Sequence, residues 1–288
     1  MLQGSIVALV TPFTHDLEVD YGKLAELIEW HVAEGTDGIV LCGTTGESPT
    51  LSEEEHAKIF RTAVGVAKGK IPLIAGTGTN DTRKTVERTE AAKGLGVDGC
   101  LVIVPYYSRP TPEGCLAHYK EVANVGLPTI VYHHPGRTGV RLSPEILQEI
   151  CKIPHIVAIK ESSGTLDIAR HLDGITFFSG DDPLTLPMME LGAKGVISVV
   201  ANLIPGKWKE MTQAFLQGDS AKAQEISTRY ASLCEAMMLE TNPQCVKYAL
   251  SLMGKCLSTF RLPLIEPRAS TKAQIQMALS LSVKVTTL

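Results

Sequence analysis

Between Gly99 and Tyr132 the chain reads GCLVIVPYYSRPTPEGCLAHYKEVANVGLPTIVY. An apolar run over 99–104 gives way to a turn rich in proline and tyrosine, a segment of helical period opens at Pro112, and a second apolar run follows over 129–132. Short runs of Val, Ile and Leu without polar alternation are the pattern of strands buried on both faces. A helix between two of them is the crossover that parallel strands require.

The same unit recurs along the chain. Further apolar runs stand at 5–10, 38–41, 72–75, 156–159, 176–179 and 195–199, making eight candidate strands. Helical segments begin near Tyr21, Ser52, Asn80, Pro112, Ser143, Leu166 and Leu184, with another near Pro205 after the last strand. Ser52-Glu53-Glu54-Glu55 is a capping-box pattern, and Ser143-Pro144 sets a cap before a first-turn proline. Strict alternation predicts an α/β chain closed into a (β/α)8 TIM barrel over 1–218. An open doubly wound sheet is the weaker reading, because Gly76-Thr77-Gly78 lacks the third glycine of a dinucleotide fingerprint and follows the third run, not the first. The remaining 219–288 is helical in period over 219–240, 243–253 and 270–282. It is expected to pack on the barrel as a C-terminal helical extension that closes one face or makes an oligomer contact.

Composition narrows the function. The 288 residues, 44% of them hydrophobic, suffice for one large core. Lys and Arg number 27 against 31 Asp and Glu, and no basic stretch points to nucleic acid, so a small-molecule partner is expected. The seven cysteines, at 42, 100, 115, 151, 234, 245 and 256, form no C-x-x-C pair and read as reduced thiols of a cytoplasmic protein. The apolar start over 1–13 lacks a basic leader and a cleavage site, and no run approaches the length of a membrane span.

In such a barrel the chemistry sits where strands end. The second run ends in Gly43-Thr44-Thr45-Gly46-Glu47, the fourth in Pro105-Tyr106-Tyr107, the fifth in Tyr132 followed by Arg137, and the sixth in Lys160-Glu161. A lysine closing a buried strand loses solvation for its charge, and the neutral amine can attack a ketone to form a Schiff base. Threonine hydroxyls and a glycine-rich turn can cradle an anion, tyrosine hydroxyls can pass protons through a threonine bridge, and the fork of Arg137 suits a carboxylate. Taken singly each has a plain reading: an ion-paired lysine, an ordinary turn, tyrosines packed on a rim, a surface ion pair. His133-His134 is not read as a metal site, since neighbours on an extended chain point opposite ways and no third ligand is evident. Asp181-Asp182 is read as a loop turn with one carboxylate bonded to backbone. No metal or cofactor is expected.

The joint placement is similar to that in the pyruvate-dependent class I aldolase and N-acetylneuraminate lyase family. The resemblance covers about Gly4 to Pro267 through Thr11-Pro12-Phe13, Gly43-Thr44-Thr45-Gly46-Glu47-Ser48, Ala75-Gly76-Thr77-Gly78, Pro105-Tyr106-Tyr107, Tyr132 to Thr138, Ile159-Lys160-Glu161 and Ser179-Gly180-Asp181-Asp182. It implies a lyase with Lys160 as the Schiff-base lysine, Tyr132 as the acid beside the carbonyl, Thr44 as the relay, and Tyr107 completing that relay from a neighbouring subunit of a homotetramer or homodimer. Thr45 and Arg137 match the branch that condenses pyruvate with L-aspartate 4-semialdehyde in lysine and diaminopimelate biosynthesis, with Arg137 on the aldehyde's carboxylate. Gly180, Asp181 and Val199 match backbone positions that line the pocket. The alternative within the family is an aldolase acting on a 2-keto sugar acid.

Two departures stand out. His133 and His134 occupy places where the family carries an asparagine and an apolar residue. In feedback-inhibited relatives lysine binds a site resembling Ser48, Pro49, Glu53, His56, Gly78, Asn80, Lys84 and Tyr106, and Lys84 stands where those relatives have a glutamate. A cation there repels the ligand's ammonium.

Overall fold

The structure, a computed structural model, describes residues 2–282; Met1 and residues 283–288 of the two expected units lie outside the described residues. Eight parallel strands, β1 (Gly4–Ala8), β2 (Gly38–Leu41), β3 (Leu73–Gly76), β4 (Gly99–Ile103), β5 (Thr129–His133), β6 (Ile156–Glu161), β7 (Phe177–Ser179) and β8 (Gly195–Ser198), close into a barrel in sequence order. Closure runs through β1 and β8, where Ile6 stands opposite Ile197. Each expected apolar run is a strand, shifted by no more than two residues at either end.

The alternation of side chains along each strand separates two apolar regions. Ile6, Ala8, Val40, Ile74, Leu101, Ile130, Tyr132, Ala158, Phe178 and Ile197 fill the barrel interior. Their neighbours, among them Val7, Ile39, Leu41, Val102, Val131 and Ile159, face outward into the layer between barrel and helices. On β5 and β6 this places Tyr132 and Lys160 inward and sends His133 and Glu161 outward, each pair in register.

The surrounding helices are α1 (Tyr21–Ala33), α2 (Glu53–Ala67), α3 (Thr82–Gly94), α4 (Pro112–Ala123), the short α5 (Pro135–Thr138), α6 (Pro144–Cys151), α7 (Thr185–Glu190) and α8 (Pro205–Leu216). Ser52 and Glu55 form the reciprocal capping box that the sequence signals, and Ser143 caps α6 ahead of Pro144. The helix expected near Leu166 does not form; only Ala169–His171 makes a single 3-10 turn. Gly164 and Gly174, both at φ +77°, turn the backbone at either end of the segment, and the Thr165 hydroxyl bonds Asp167 through both its side chain and its N–H, a local turn that competes with helix.

The extension supplies α9 (Ser220–Ala236), α10 (Gln244–Leu252) and α11 (Ala269–Ser282). α9 lies against α8 and α11. Ala223, Ile226, Leu233, Val246, Leu250 and Ile275 join the same apolar cluster as the outward faces of the strands, so barrel and extension share one core. Among the described residues no helix is long and apolar enough to cross a membrane.

Candidate active site

Lys160, one residue before the end of β6, points into the barrel with 5% of its surface exposed, and its Nζ lies 4.4 Å from the centre of the Tyr132 ring. Burial pulls its pKa down to about 8, with Arg137 adding to the shift while Asp181 and Asp182 oppose it. A fraction of the amine is therefore neutral near pH 7 and able to act as a nucleophile. Burial moves Tyr132 the other way, up to about 12, against the pull of Arg137 and of the Thr44 and Ser162 hydroxyls. Its hydroxyl keeps a proton to donate.

These groups open on a cavity of about 460 Å³ at the ends of the strands. Thr44, Thr45, Tyr132, Arg137, Lys160, Gly180, Asp181 and Val199 all line it, so every expected site residue but one meets there. The exception is Tyr107, which is 88% exposed at φ +71° and does not reach the cavity of its own chain. Its neighbour Tyr106 lines an adjoining cavity of about 230 Å³ with Thr44, Tyr132 and Arg137.

The loop after β2 folds tightly on itself, with the N–H groups of Gly46 and Ser48 bonded to Gly43 O and that of Glu47 to Thr44 O. Those three donors close turns and do not face an anion, which leaves the backbone N–H groups and the hydroxyls of Thr44 and Thr45 as the loop's offering. Gly180 has a steric reason to be glycine: a Cβ there would sit 1.7 Å from Ser162 Oγ and 2.8 Å from Lys160 Cε. Asp182 is a buried hub that accepts from Ser198 Oγ (2.6 Å), Val199 N (2.9 Å), Val200 N (2.8 Å) and Trp208 Nε1 (3.1 Å), the backbone-bonded turn anticipated from the sequence. Asp181 keeps a freer carboxyl, raised to about 6 by burial against the opposing pull of Lys160.

The adjacent histidines part company. His133 donates from Nδ1 to Glu161 Oε2 at 2.7 Å and accepts from Leu142 N at Nε2, 3.1 Å away, which fixes its tautomer and commits both nitrogens outside the barrel. His134 lines the cavity and meets Tyr132 edge-on at 5.8 Å between ring centres.

The sequence predicts an extension that closes one face or makes an oligomer contact, but the residues that roof the cavity leave no local mark in it. The segment from Met237 to Asn242, between α9 and α10, lines the cavity opposite the strands. Asn242 donates from Nδ2 to Thr45 Oγ1 at 3.0 Å, and its carbonyl accepts from Arg137 Nη2 at 3.5 Å. Lys247 of α10 reaches Glu47 Oε1 at 2.6 Å with neither side chain exposed. A lone lysine in the apolar run Cys245-Val246-Lys247-Tyr248-Ala249-Leu250 is the signal that a buried anion awaited it.

Comparison with known proteins agrees with this geometry. The model of the dihydrodipicolinate synthetase family matches residues 1–282. The 4-hydroxy-tetrahydrodipicolinate synthase of Trichlorobacter lovleyi is 47% identical over 282 residues, covering 96% of this chain and 97% of that one. The structure of dihydrodipicolinate synthase from Aquifex aeolicus superposes with a TM-score of 0.94 at 46% identity, over 98% of this chain and 99% of that chain. That of the Acinetobacter baumannii enzyme, complexed with pyruvate, does so with a TM-score of 0.96 at 41% identity, over 98% and 99%. A closed barrel with a buried lysine at the end of its sixth strand, matched over nearly the whole chain, places this protein in the dihydrodipicolinate synthetase family.

Proposed function

We propose that the chain is a lyase that condenses pyruvate with L-aspartate 4-semialdehyde to 4-hydroxy-tetrahydrodipicolinate, a step of lysine and diaminopimelate biosynthesis. The observation that carries the reading is Lys160: an amine held near pH 8 by burial, beside a protonated Tyr132, in a cavity with Arg137 at its rim.

Neutral Lys160 attacks C2 of pyruvate, and the carbonyl oxygen takes a proton from Tyr132 to give a carbinolamine. Loss of that oxygen as water leaves the iminium, which withdraws electrons from C3 so that a C3 proton departs and an enamine forms. The enamine carbon adds to the aldehyde carbon, whose oxygen accepts a proton. Attack by the amino group of the bound aldehyde on the imine carbon then expels Lys160 and closes the ring. Tyr132 serves as acid and base throughout, and Thr44 relays its protons. Arg137 orients the aldehyde through its carboxylate, while Thr45, Gly180, Asp181 and Val199 shape the space around both substrates.

Tyr107 joins the relay from a neighbouring subunit of a homodimer or homotetramer. Its 88% exposure on a single chain supports that role, since the ring is free to reach another subunit. Within the described residues, 2–218 form the catalytic barrel and 219–282 the appendage that roofs it, supported by the contacts of Asn242 and Lys247. Seven free thiols fit a cytoplasmic site of action. Product formation from the two substrates tests the reading: Lys160→Ala is expected to abolish it and to keep the circular-dichroism spectrum of the parent, whereas retained turnover contradicts it.

A further inference from the structure

The ends of β5 and β6 are tied a second time outside the barrel. His133 and Glu161 stand in register, neither with any exposed surface, and His133 Nδ1 donates to Glu161 Oε2 at 2.7 Å. The other carboxylate oxygen accepts from Ser163 N at 2.7 Å, and His133 Nε2 accepts from Leu142 N at 3.1 Å. Two apolar side chains would fill the same space without desolvating an imidazole and a carboxylate, so the pair is explained by what its bonds hold in place and not by packing.

What they hold is the chain leaving β6. Ser163 N is anchored on Glu161, while Ser162 N donates to His133 O at 2.9 Å and Gly180 N to Glu161 O at 2.7 Å. Continuing the alternation of the strand, Ser162 turns to the side that Lys160 faces. Its side chain lies buried against Gly180, in the space a Cβ there would take, and lines a side cavity of about 380 Å³ with His134 and Asp181. From that place its hydroxyl acts on Tyr132: burial raises the Tyr132 pKa to about 12, and Arg137 with the Thr44 and Ser162 hydroxyls works against the rise.

The contacts form a closed ring: Tyr132, its chain neighbour His133, Glu161, Ser163, and Ser162, which returns to Tyr132. We propose that His133 and Glu161 are positioning residues of the reaction, which never meet the substrate but hold the Ser162 hydroxyl on Tyr132 and so orient the proton that Tyr132 gives and takes, an inference that rests on the condensation reading given above. The rate should then depend on the bond from Nδ1 to Glu161 and not on the bond from Leu142 to Nε2, although both belong to one imidazole.

Two substitutions separate those bonds. An Asn side chain sets its amide where Nδ1 stands and keeps a donor for Glu161; a Gln side chain sets its amide where Nε2 stands, keeps an acceptor for Leu142 N and loses the donor. Each full-length variant is given both substrates at saturation, and kcat is divided by the fraction of Lys160 that borohydride traps with pyruvate. A couple that serves folding alone changes the trapped fraction and leaves the rate per trapped site as it was. His133→Gln is expected to lower kcat per site by about 3- to 10-fold, with KM for either substrate moved by less than about twofold, whereas His133→Asn stays within about twofold of the wild-type chain. Ser162→Ala should lower kcat per site as much as His133→Gln does, and the two together no further, because both lie on one path.

Ser162→Ala removes a single hydroxyl and keeps the test open if either histidine variant fails to fold: full kcat per site in that variant overturns the inference. So does His133→Gln at the wild-type rate per site, a loss in His133→Asn as large as that in His133→Gln, or effects that multiply in the double variant. Pyruvate trapping by the wild-type chain separates the two levels. Trapping together with any of those outcomes sinks this inference alone, and absence of trapping sinks the condensation reading with it.

Discussion

Lys247 and Glu47, two hundred positions apart in sequence, form an ion pair of 2.6 Å with no exposed surface on either side chain. Lys247 Nζ also lies 3.9 Å from the centre of the Phe13 ring, and the other Glu47 oxygen accepts from Arg261 N. Glu47 sits at φ +56° directly after the Thr44-Thr45-Gly46 turn, so the pair ties the helical extension to the loop that carries the site's hydroxyls. Removing one partner strands the other in a dry interior. Lys247→Met is expected to cost roughly 3–5 kcal/mol of stability. Denaturant unfolding measures this, with Glu47→Gln/Lys247→Met expected to recover part of the loss; a cost below about 1 kcal/mol for the single change contradicts the assignment.

The pH dependence follows from Lys160. Only the neutral amine attacks, so the rate of imine formation should rise with pH and level off above an inflection near pH 8. Asp181 holds the Lys160 pKa up, so Asp181→Asn should move that inflection to lower pH. Stopped-flow or quenched trapping across the range checks both; a flat profile, or an inflection displaced upward, contradicts them.

Arg137 and Tyr132 should separate kinetically. Arg137→Ala is expected to raise the KM for the aldehyde far more than that for pyruvate, by roughly 1.5–3 kcal/mol of a charged hydrogen bond. Tyr132→Phe should slow imine formation and condensation alike, by a factor on the order of 10² to 10⁴. Equal effects of Arg137→Ala on both substrates would make that arginine structural, and a loss under about tenfold would reduce Tyr132 to packing.

How far the sequence alone reached depended on whether a residue's role was local. Eight apolar runs gave eight strands because burial on both faces leaves a mark at every position of a strand. Lys160 was legible for the same reason: a charge at the end of Ile156-Val157-Ala158-Ile159 violates the pattern. The failed helix near Leu166 shows the limit of periodicity, since apolar spacing does not record the turns at Gly164 and Gly174 or the Thr165–Asp167 bonds. The roof from Met237 to Asn242, the Glu47–Lys247 pair and the His133–Glu161 bond depend on contacts between distant segments, which no local pattern records.

Free lysine is expected to inhibit weakly or not at all. Glu53, the carboxylate best placed to receive an added ammonium near Lys84, is already engaged: Arg88 holds it through Nε at 2.9 and 3.0 Å and through Nη2 at 2.6 Å, and Lys84 Nζ lies 3.3 Å away. Bonding to Arg88 keeps its pKa below the usual carboxylate value. A ligand ammonium entering there meets two cations, each repelling by up to about 4 kcal/mol at about 4 Å and less at so exposed a surface. Lysine titrated into the condensation assay checks this. Lys84→Glu should bring inhibition into the range on the order of millimolar, and sub-millimolar inhibition of the wild-type chain would contradict the charge argument.

Covalent capture of pyruvate tests the account at its root. The protein is incubated with pyruvate, reduced with borohydride, digested, and its peptides weighed by mass spectrometry. A reduced pyruvate adduct is expected on the peptide containing Lys160, absent from Lys160→Ala and formed faster as the pH approaches 8. An adduct on another lysine, or turnover of both substrates with Lys160 left unmodified, would contradict it.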